Sequence, residues 1–223
     1  MAIPTTLDGP RVTPASGGKA TALVILLHGY GSNGEDLIGL APYWRGELPD
    51  VAFVAPNAPE VCPGAPGGYQ WWAIANLSPS ALNVGAAKAA PVLDAFIDQE
   101  LERHGLAEDR LALVGFSQGT MMSLQVGPRR RRTLAGIVGY SGMLADPEAL
   151  AAEGRTRPPV LLVHGDLDPV LPVAALGDAA AALRALDFQT TTHISPSLGH
   201  SLDEAGLRLG EEFLARAFMD APP

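Results

Sequence analysis

Residues Gly115-Phe116-Ser117-Gln118-Gly119 set a serine between two glycines, each two positions away. They follow an apolar run, LALV at 111–114, and precede a helix-forming stretch, TMMSLQV at 120–126. In that strand–turn–helix context a G-x-S-x-G motif reads as a nucleophile elbow. A strand that reverses into a helix around one residue crowds the positions two before and two after it. Only very small side chains fit there, and the serine takes a strained backbone conformation. Its hydroxyl then stands at the carboxyl edge of the sheet, beside the positive end of a helix.

A serine hydroxyl is a poor nucleophile at neutral pH and needs a base within hydrogen-bond reach. Of the five histidines, His28 lies in a Gly-rich turn, His104 ends a helix, His164 ends a strand and His193 sits inside a strand pattern. His200 follows the loop Pro196-Ser197-Leu198-Gly199 and precedes the last helix, the position at which an α/β-hydrolase presents its histidine. The chain order Ser…Asp/Glu…His places the acid between them, after strand VLLV at 160–163. Asp166 and Asp168 both qualify. Asp168 stands further beyond the strand, where the chain can turn back toward His200, whereas Asp166 is expected to pin the turn through backbone N–H groups.

A tetrahedral oxyanion needs N–H donors. The fold that carries such an elbow takes one from the loop after the first strand and one from the residue after the nucleophile, here Tyr30 and Gln118. The first loop also spells Gly29-Tyr30-Gly31-Ser32-Asn33-Gly34, a literal dinucleotide fingerprint. That motif wants an acid some 20 residues on, and Val51-Ala52-Phe53-Val54-Ala55-Pro56 carries none. No cofactor is expected, and no metal, for no cluster has metal-ligand spacing.

The elements that must position these groups alternate as βαβα, the pattern of a mostly parallel sheet with helices on both faces. Strands are expected at Ala22–Leu27, 51–55, 110–114, 134–140, 160–164 and 188–194. Helices are expected at 35–44, 81–104, 117–126, 172–186 and 201–219, the second with an apolar face of Val84, Ala87, Val92, Phe96 and Leu101 and a kink or boundary at Pro91. Residues 56–72 read as irregular. Residues 1–20 form an extension joining one domain at 21–220, with no room for a large cap.

The formal net charge of −9 and pI near 4.9 argue against a nucleic-acid partner. Arg129-Arg130-Arg131-Arg132 opposes that balance locally and is expected to be a solvated loop. A lone cysteine, Cys62, no apolar leader and no apolar run of membrane-spanning length predict a cytoplasmic protein.

Taken in order, LHGYGSNGEDL, APNAPE, QWW, GFSQG, HGDLDPV and LGHS resemble the phospholipase/carboxylesterase family, the small carboxylesterases related to acyl-protein thioesterases and lysophospholipases. The likeness runs over about residues 21–218. It implies an α/β-hydrolase without a cap or cofactor, with Ser117, Asp168 and His200 as its triad and the Tyr30 and Gln118 amides as its oxyanion hole. It further implies activity on short- to medium-chain esters, with thioesters or lysophospholipids as the alternative main substrates, and it allows a homodimer. Where many relatives carry an aspartate after the aromatic pair, this chain has Ala73. By position, Trp71, Trp72, Ile74 and Leu77 are expected to line an apolar slot for the acyl chain, ordinary core packing being the competing reading. A binding module that kept the fold without its chemistry would lack a triad residue, and none is lacking.

Overall fold

The computed structural model describes residues 6–74 and 78–219. Its elements run β1 (Arg11–Val12), β2 (Ala22–Leu27), α1 (Gly34–Ile38), α2 (Ala41–Trp44), β3 (Val51–Val54), β4 (Glu60–Val61), β5 (Tyr69–Gln70), α3 (Pro79–His104), β6 (Leu111–Phe116), α4 (Gln118–Val126), β7 (Gly136–Tyr140), α5 (Pro147–Glu153), β8 (Val160–Gly165), α6 (Ala174–Ala185), β9 (Thr190–Ser195) and α7 (Glu204–Met219).

Seven strands form one sheet in the order β1-β3-β2-β6-β7-β8-β9, and β4 pairs with β5 separately. All neighbours in the large sheet are parallel except β1, which runs antiparallel to β3. From β2 the chain builds outward first to β3, then crosses back through α3 to place β6 on the other side. This reversal makes β2–β6 a topological switch point, and open α/β sheets bind ligands outside the carboxyl ends of the strands at such a point.

The two sides of β2 show why the sheet needs helices on both faces. Leu23, Ile25 and Leu27 pack into one core with Leu93, Phe96 and Ile97 of α3 and Met121 and Met122 of α4. Val24 and Leu26 pack into the other with Trp44 of α2 and Leu214 of α7. Every β2 side chain is buried, so the run ALVILL is apolar without alternation, as a doubly covered parallel strand requires. A third core joins Leu124 of α4 and Ile137 of β7 to α5 and α6.

Several expectations are amended. The helix expected at 35–44 is two short helices, α2 having Pro42 in its first turn. The buried face of α3 carries Leu82, Ala86, Ala89, Leu93, Phe96 and Ile97, while Val84 and Ala87 face solvent. Pro91 lies inside one continuous α3. Three elements went unread: β1, the β4–β5 pair within the irregular stretch, and α5. β1 forms the antiparallel edge of the sheet beside β3, and Arg11 grips buried Glu100 of α3 through Nη2 at 2.7 Å and Nε at 3.3 Å.

The arginine run is not a solvated loop. Arg131 and Arg132 are exposed, but Arg130 is buried and paired with Asp94, Asp98 and Glu108. Among the described residues no helix is long and apolar enough to cross a membrane.

The glycines at the elbow meet a hard steric limit. A β-carbon on Gly119 would overlap the carbonyl oxygen of Leu27, and one on Gly115 would overlap the backbone of Gly119 and Thr120. Gly119→Ala should therefore cost at least about 3 kcal/mol. Gly177→Ala, on the open face of α6 where a β-carbon meets nothing within 4 Å, should stabilise by about 0.5–1 kcal/mol. Denaturant midpoints of the two variants should move in opposite directions.

Candidate active site

β6 ends at Phe116, α4 begins at Gln118, and Ser117 joins them at φ 55°, ψ −114°. A non-glycine residue at positive φ is strained and persists only where its surroundings hold it. Here they do. Ser117 N–H donates to Tyr140 O at 2.8 Å, and Ser117 O accepts from Met121 N at 3.2 Å. Thr120 Oγ1 lies 2.8 Å from Gly115 O and 2.9 Å from Tyr140 O, tying the first turn of α4 back to β6 and β7.

Asp168 and His200 are brought together. His200 Nδ1 lies 2.7 Å from Asp168 Oδ2, and an ionised carboxylate can only accept, so Nδ1 carries the hydrogen and Nε2 keeps its lone pair. The imidazole rests on the ring of Phe116, the residue before Ser117, with centroids 5.0 Å apart. Leu167 N–H donates to Leu198 O at 2.9 Å, so the loop that carries Asp168 is stitched to the loop that carries His200.

The Asp168 side chain is wholly buried. Burial alone would raise its pKa. The hydrogen bond from His200, then those from the Leu171 and Val170 amides, outweigh that effect and hold the carboxyl below its ordinary 3.8. Oδ1 accepts the amides of Val170 at 2.8 Å and Leu171 at 2.9 Å. The turn-pinning role expected of Asp166 thus falls to Asp168 itself, and Asp166 is exposed.

Two histidines that sequence reasoning passed over support this centre. His164, fully buried, lies with Nε2 2.9 Å from Leu171 O and 3.2 Å from Asp168 Oδ2. His28, also fully buried, donates from Nδ1 to Gly29 O at 2.7 Å and accepts at Nε2 from Ala58 N at 2.9 Å. Accepting at Nε2 requires the neutral ring, in keeping with burial, which pushes its pKa down. The carbonyl of Gly29 and the N–H of Tyr30 share one peptide plane and point oppositely, so anchoring the carbonyl aims the amide. A β-carbon on Gly29 would lie 3.3 Å from Ser117 Cβ, so this loop passes directly beside the serine. Both histidines stand in His-Gly pairs at the ends of buried strands, the one signal that would have marked them.

Gln118 contributes the first N–H of α4, which has no acceptor within its own helix. Its side chain accepts from Trp71 N at 2.9 Å and donates to Trp72 O at 2.9 Å, clamping the aromatic pair over the elbow. Trp71 and Trp72 are only 1% and 4% exposed and belong to the core, Trp71 Nε1 donating to His28 O at 3.0 Å and Trp72 packing against Gly85 of α3. Both are too deeply buried to line an open slot. Ile74 is half-buried against the same core, and Leu77 lies outside the described residues.

Among the described residues no group of three or more His, Cys, Asp or Glu side chains could hold a metal ion. What the centre can do is general-base chemistry on a serine hydroxyl, with N–H donors at hand.

A sequence model of the phospholipase/carboxylesterase family matches residues 9–217. The chain is 29% identical to acyl-protein thioesterase 1 of Gibberella zeae, over 93% of this chain and 94% of that one. It is 34% identical to acyl-protein thioesterase 1 of Schizosaccharomyces pombe, over 72% and 74%. The crystal structure of esterase PE8 superposes with a TM-score of 0.91 at 45% identity, covering 95% of this chain and 99% of that one. SOBER1 of Arabidopsis thaliana shares the fold at 21% identity, with a TM-score of 0.76 over 88% and 98%. The elbow, the switch-point sheet and the family match over nearly the whole length agree: this chain belongs to the phospholipase/carboxylesterase family of α/β-hydrolases.

Proposed function

We propose that the protein is a cytoplasmic serine carboxylesterase for short- to medium-chain esters, working through an acyl-enzyme on Ser117. The observation that carries the reading is the 2.7 Å bond from His200 to the buried Asp168, with the imidazole resting on Phe116, the residue before the strained Ser117. His200 Nε2 takes the Ser117 proton as Oγ attacks the ester carbonyl, and the imidazolium that forms is stabilised by Asp168. The amides of Tyr30 and Gln118 receive the oxyanion, each contributing about 2.7–4 kcal/mol to lowering the barrier. His200 then protonates the leaving alcohol, and a water activated by the same ring releases the acid.

The acyl chain is assigned to an apolar cleft of about 240 Å³ that includes Met143, Leu144, Pro172 and Ala175, at the carboxyl ends of β7 and β8. Leu167 and Val170, both exposed on either side of Asp168, add apolar surface beside the acid. The short cleft favours short to medium chains. Simple esters are preferred to acylated proteins because the 45% identical structure is that of an esterase. The thioesterase reading rests on the more distant curated relatives. Release of acid from a panel of p-nitrophenyl esters, acyl-CoAs and lysophospholipids decides between them.

Three outcomes test the mechanism. Ser117→Ala should abolish both turnover and labelling by a fluorophosphonate. Asp168→Asn should lower kcat by about 10³–10⁴ with little change in KM, because the imidazole loses the partner that fixes its tautomer. Near-normal turnover in the second variant defeats the assignment.

The acid limb of the pH–rate profile follows from the depressed Asp168 pKa. Its carboxylate is already ionised above the ordinary carboxylate range, so loss of the Asp168 charge should not limit kcat/KM above pH ~5. A protonated Asp168 carboxyl seen by infrared difference spectroscopy above that pH would contradict this.

Filling the cleft with Ala175→Phe should cut kcat/KM for a C8 ester roughly tenfold or more, at about 0.8 kcal/mol per methylene excluded. The C2 ester should be unaffected, which also reports that the variant is folded. An unchanged chain-length profile removes the cleft from the acyl path.

A further inference from the structure

The arginine run at 129–132 has no part in the site above, and it lies at the other end of the sheet. Arg129–Arg131 precede β7, Glu108 precedes β6 and Arg155 precedes β8, so they gather at the amino ends of the strands. With Asp94 and Asp98 of α3 they line a polar cavity of about 440 Å³.

The pairing within this cavity is incomplete. Arg130, its side chain 6% exposed, gives Nη1 to Asp94 at 2.6 Å and Nη2 to Asp98 at 2.5 Å, with Glu108 at 3.4 Å from Nη2. Arg129 gives Nε to Glu153 at 2.8 Å and Nη1 to Gln125 O at 2.8 Å. Arg130 Nε and Arg129 Nη2 are buried with no acceptor among the described residues. A buried N–H left unbonded on a charged group is costly, and such groups call for an explanation. Arg131 and Arg155 line the same cavity, are exposed, and make no ion pair among the described residues.

We propose that this cavity is a binding site for a tetrahedral oxyanion of the phosphate class, either inorganic phosphate or a phosphomonoester. Four guanidinium groups around one polar hollow match an acceptor with several oxygens, and the planar fork of arginine suits that geometry better than lysine would. Arg131 and Arg155 supply charge that no carboxylate among the described residues has claimed. The opposing charges are Asp94, Asp98, Glu108 and Glu153. The exposed pair Asp94 and Asp98 are screened by solvent, and their competition limits the site to modest affinity. The inference is independent of the ester chemistry, which lies across the sheet.

The test is thermal unfolding at constant ionic strength with and without inorganic phosphate, and separately glycerol 3-phosphate, backed by calorimetric titration. Saturating ligand should raise Tm by about 2–4 °C in the wild type. In the double variant Arg131→Gln/Arg155→Gln the shift should fall to less than half. Both positions are exposed and remote from Ser117, so ester hydrolysis should be unchanged and certifies the fold. Asp98→Asn, which removes one competing charge, should tighten binding. A response to the monoester alone supports the site and names the esterified form as its ligand. Equal shifts in wild type and double variant would be the general stabilising action of phosphate on proteins and overturn the proposal, as would no heat of binding or weaker binding by Asp98→Asn.

Discussion

Everything at the active end of the molecule depends on keeping one carboxylate charged in a place with no water. Asp168 is wholly buried, and burial by itself would push a proton onto it. That does not happen because donors hold it: two backbone amides on Oδ1 and the ring of His200 on Oδ2, with His164 Nε2 3.2 Å from the same oxygen. The amides come from its own loop, so the charge that orients the base also shapes the turn that presents it. A residue with no side-chain acceptor there would lose both functions together. Buried charge without such a shell would cost several kcal/mol; with it, the acid loop becomes a rigid mount.

The same economy recurs at the serine. Ser117 is strained, and the strain is borne by neighbours that are themselves immobile, the central strands β6 and β7 and the first turn of α4. Gly115 and Gly119 are there because backbone fills the space a β-carbon would need. This explains why a five-residue motif is informative at all. Its glycines report a packing constraint between β2, β6 and α4, and therefore the presence of those elements in that arrangement.

The limits of what could be read from the chain follow the same logic. The buried strands were legible because each is an uninterrupted apolar run, and the assignment of Ser117, Asp168 and His200 was drawn from their order along the chain after successive strands. On α3 Val92, Phe96 and Leu101 are buried as expected, but the first turns were misread because their buried side is built from small residues, Gly85, Ala86 and Ala89, with Trp72 packed on Gly85. Hydrophobic periodicity weights Val84 above them, yet Val84 is exposed. β1 and α5 were too short to carry a period. The tryptophans looked like slot lining because aromatic residues near a site often are; what settled them into the core was the amide of Gln118, a tertiary contact with no local signature. The arginine run was misread for a related reason. Four like charges in sequence repel one another only until another element brings carboxylates, and Asp94 and Asp98 sit on α3, more than thirty positions earlier.

The two His-Gly pairs carry this reasoning one step further. His28 and His164 each end a buried strand, each is fully buried, and each has a ring nitrogen at a backbone carbonyl within its own loop, Gly29 O and Leu171 O. A strand that stops inside a protein leaves backbone groups that must find partners. An imidazole can serve two of them at once in fixed directions, and when neutral it adds no charge to a site that already holds one. Leucine would fill the space and leave the carbonyls unbonded; lysine would add a charge. The glycine that follows allows close approach, Gly29 to the serine and Gly165 to the carbonyls of Leu198 and Gly199 in the base loop. One structural device, used at two strand ends, thus fixes the loop beside Ser117 and the loop that carries Asp168.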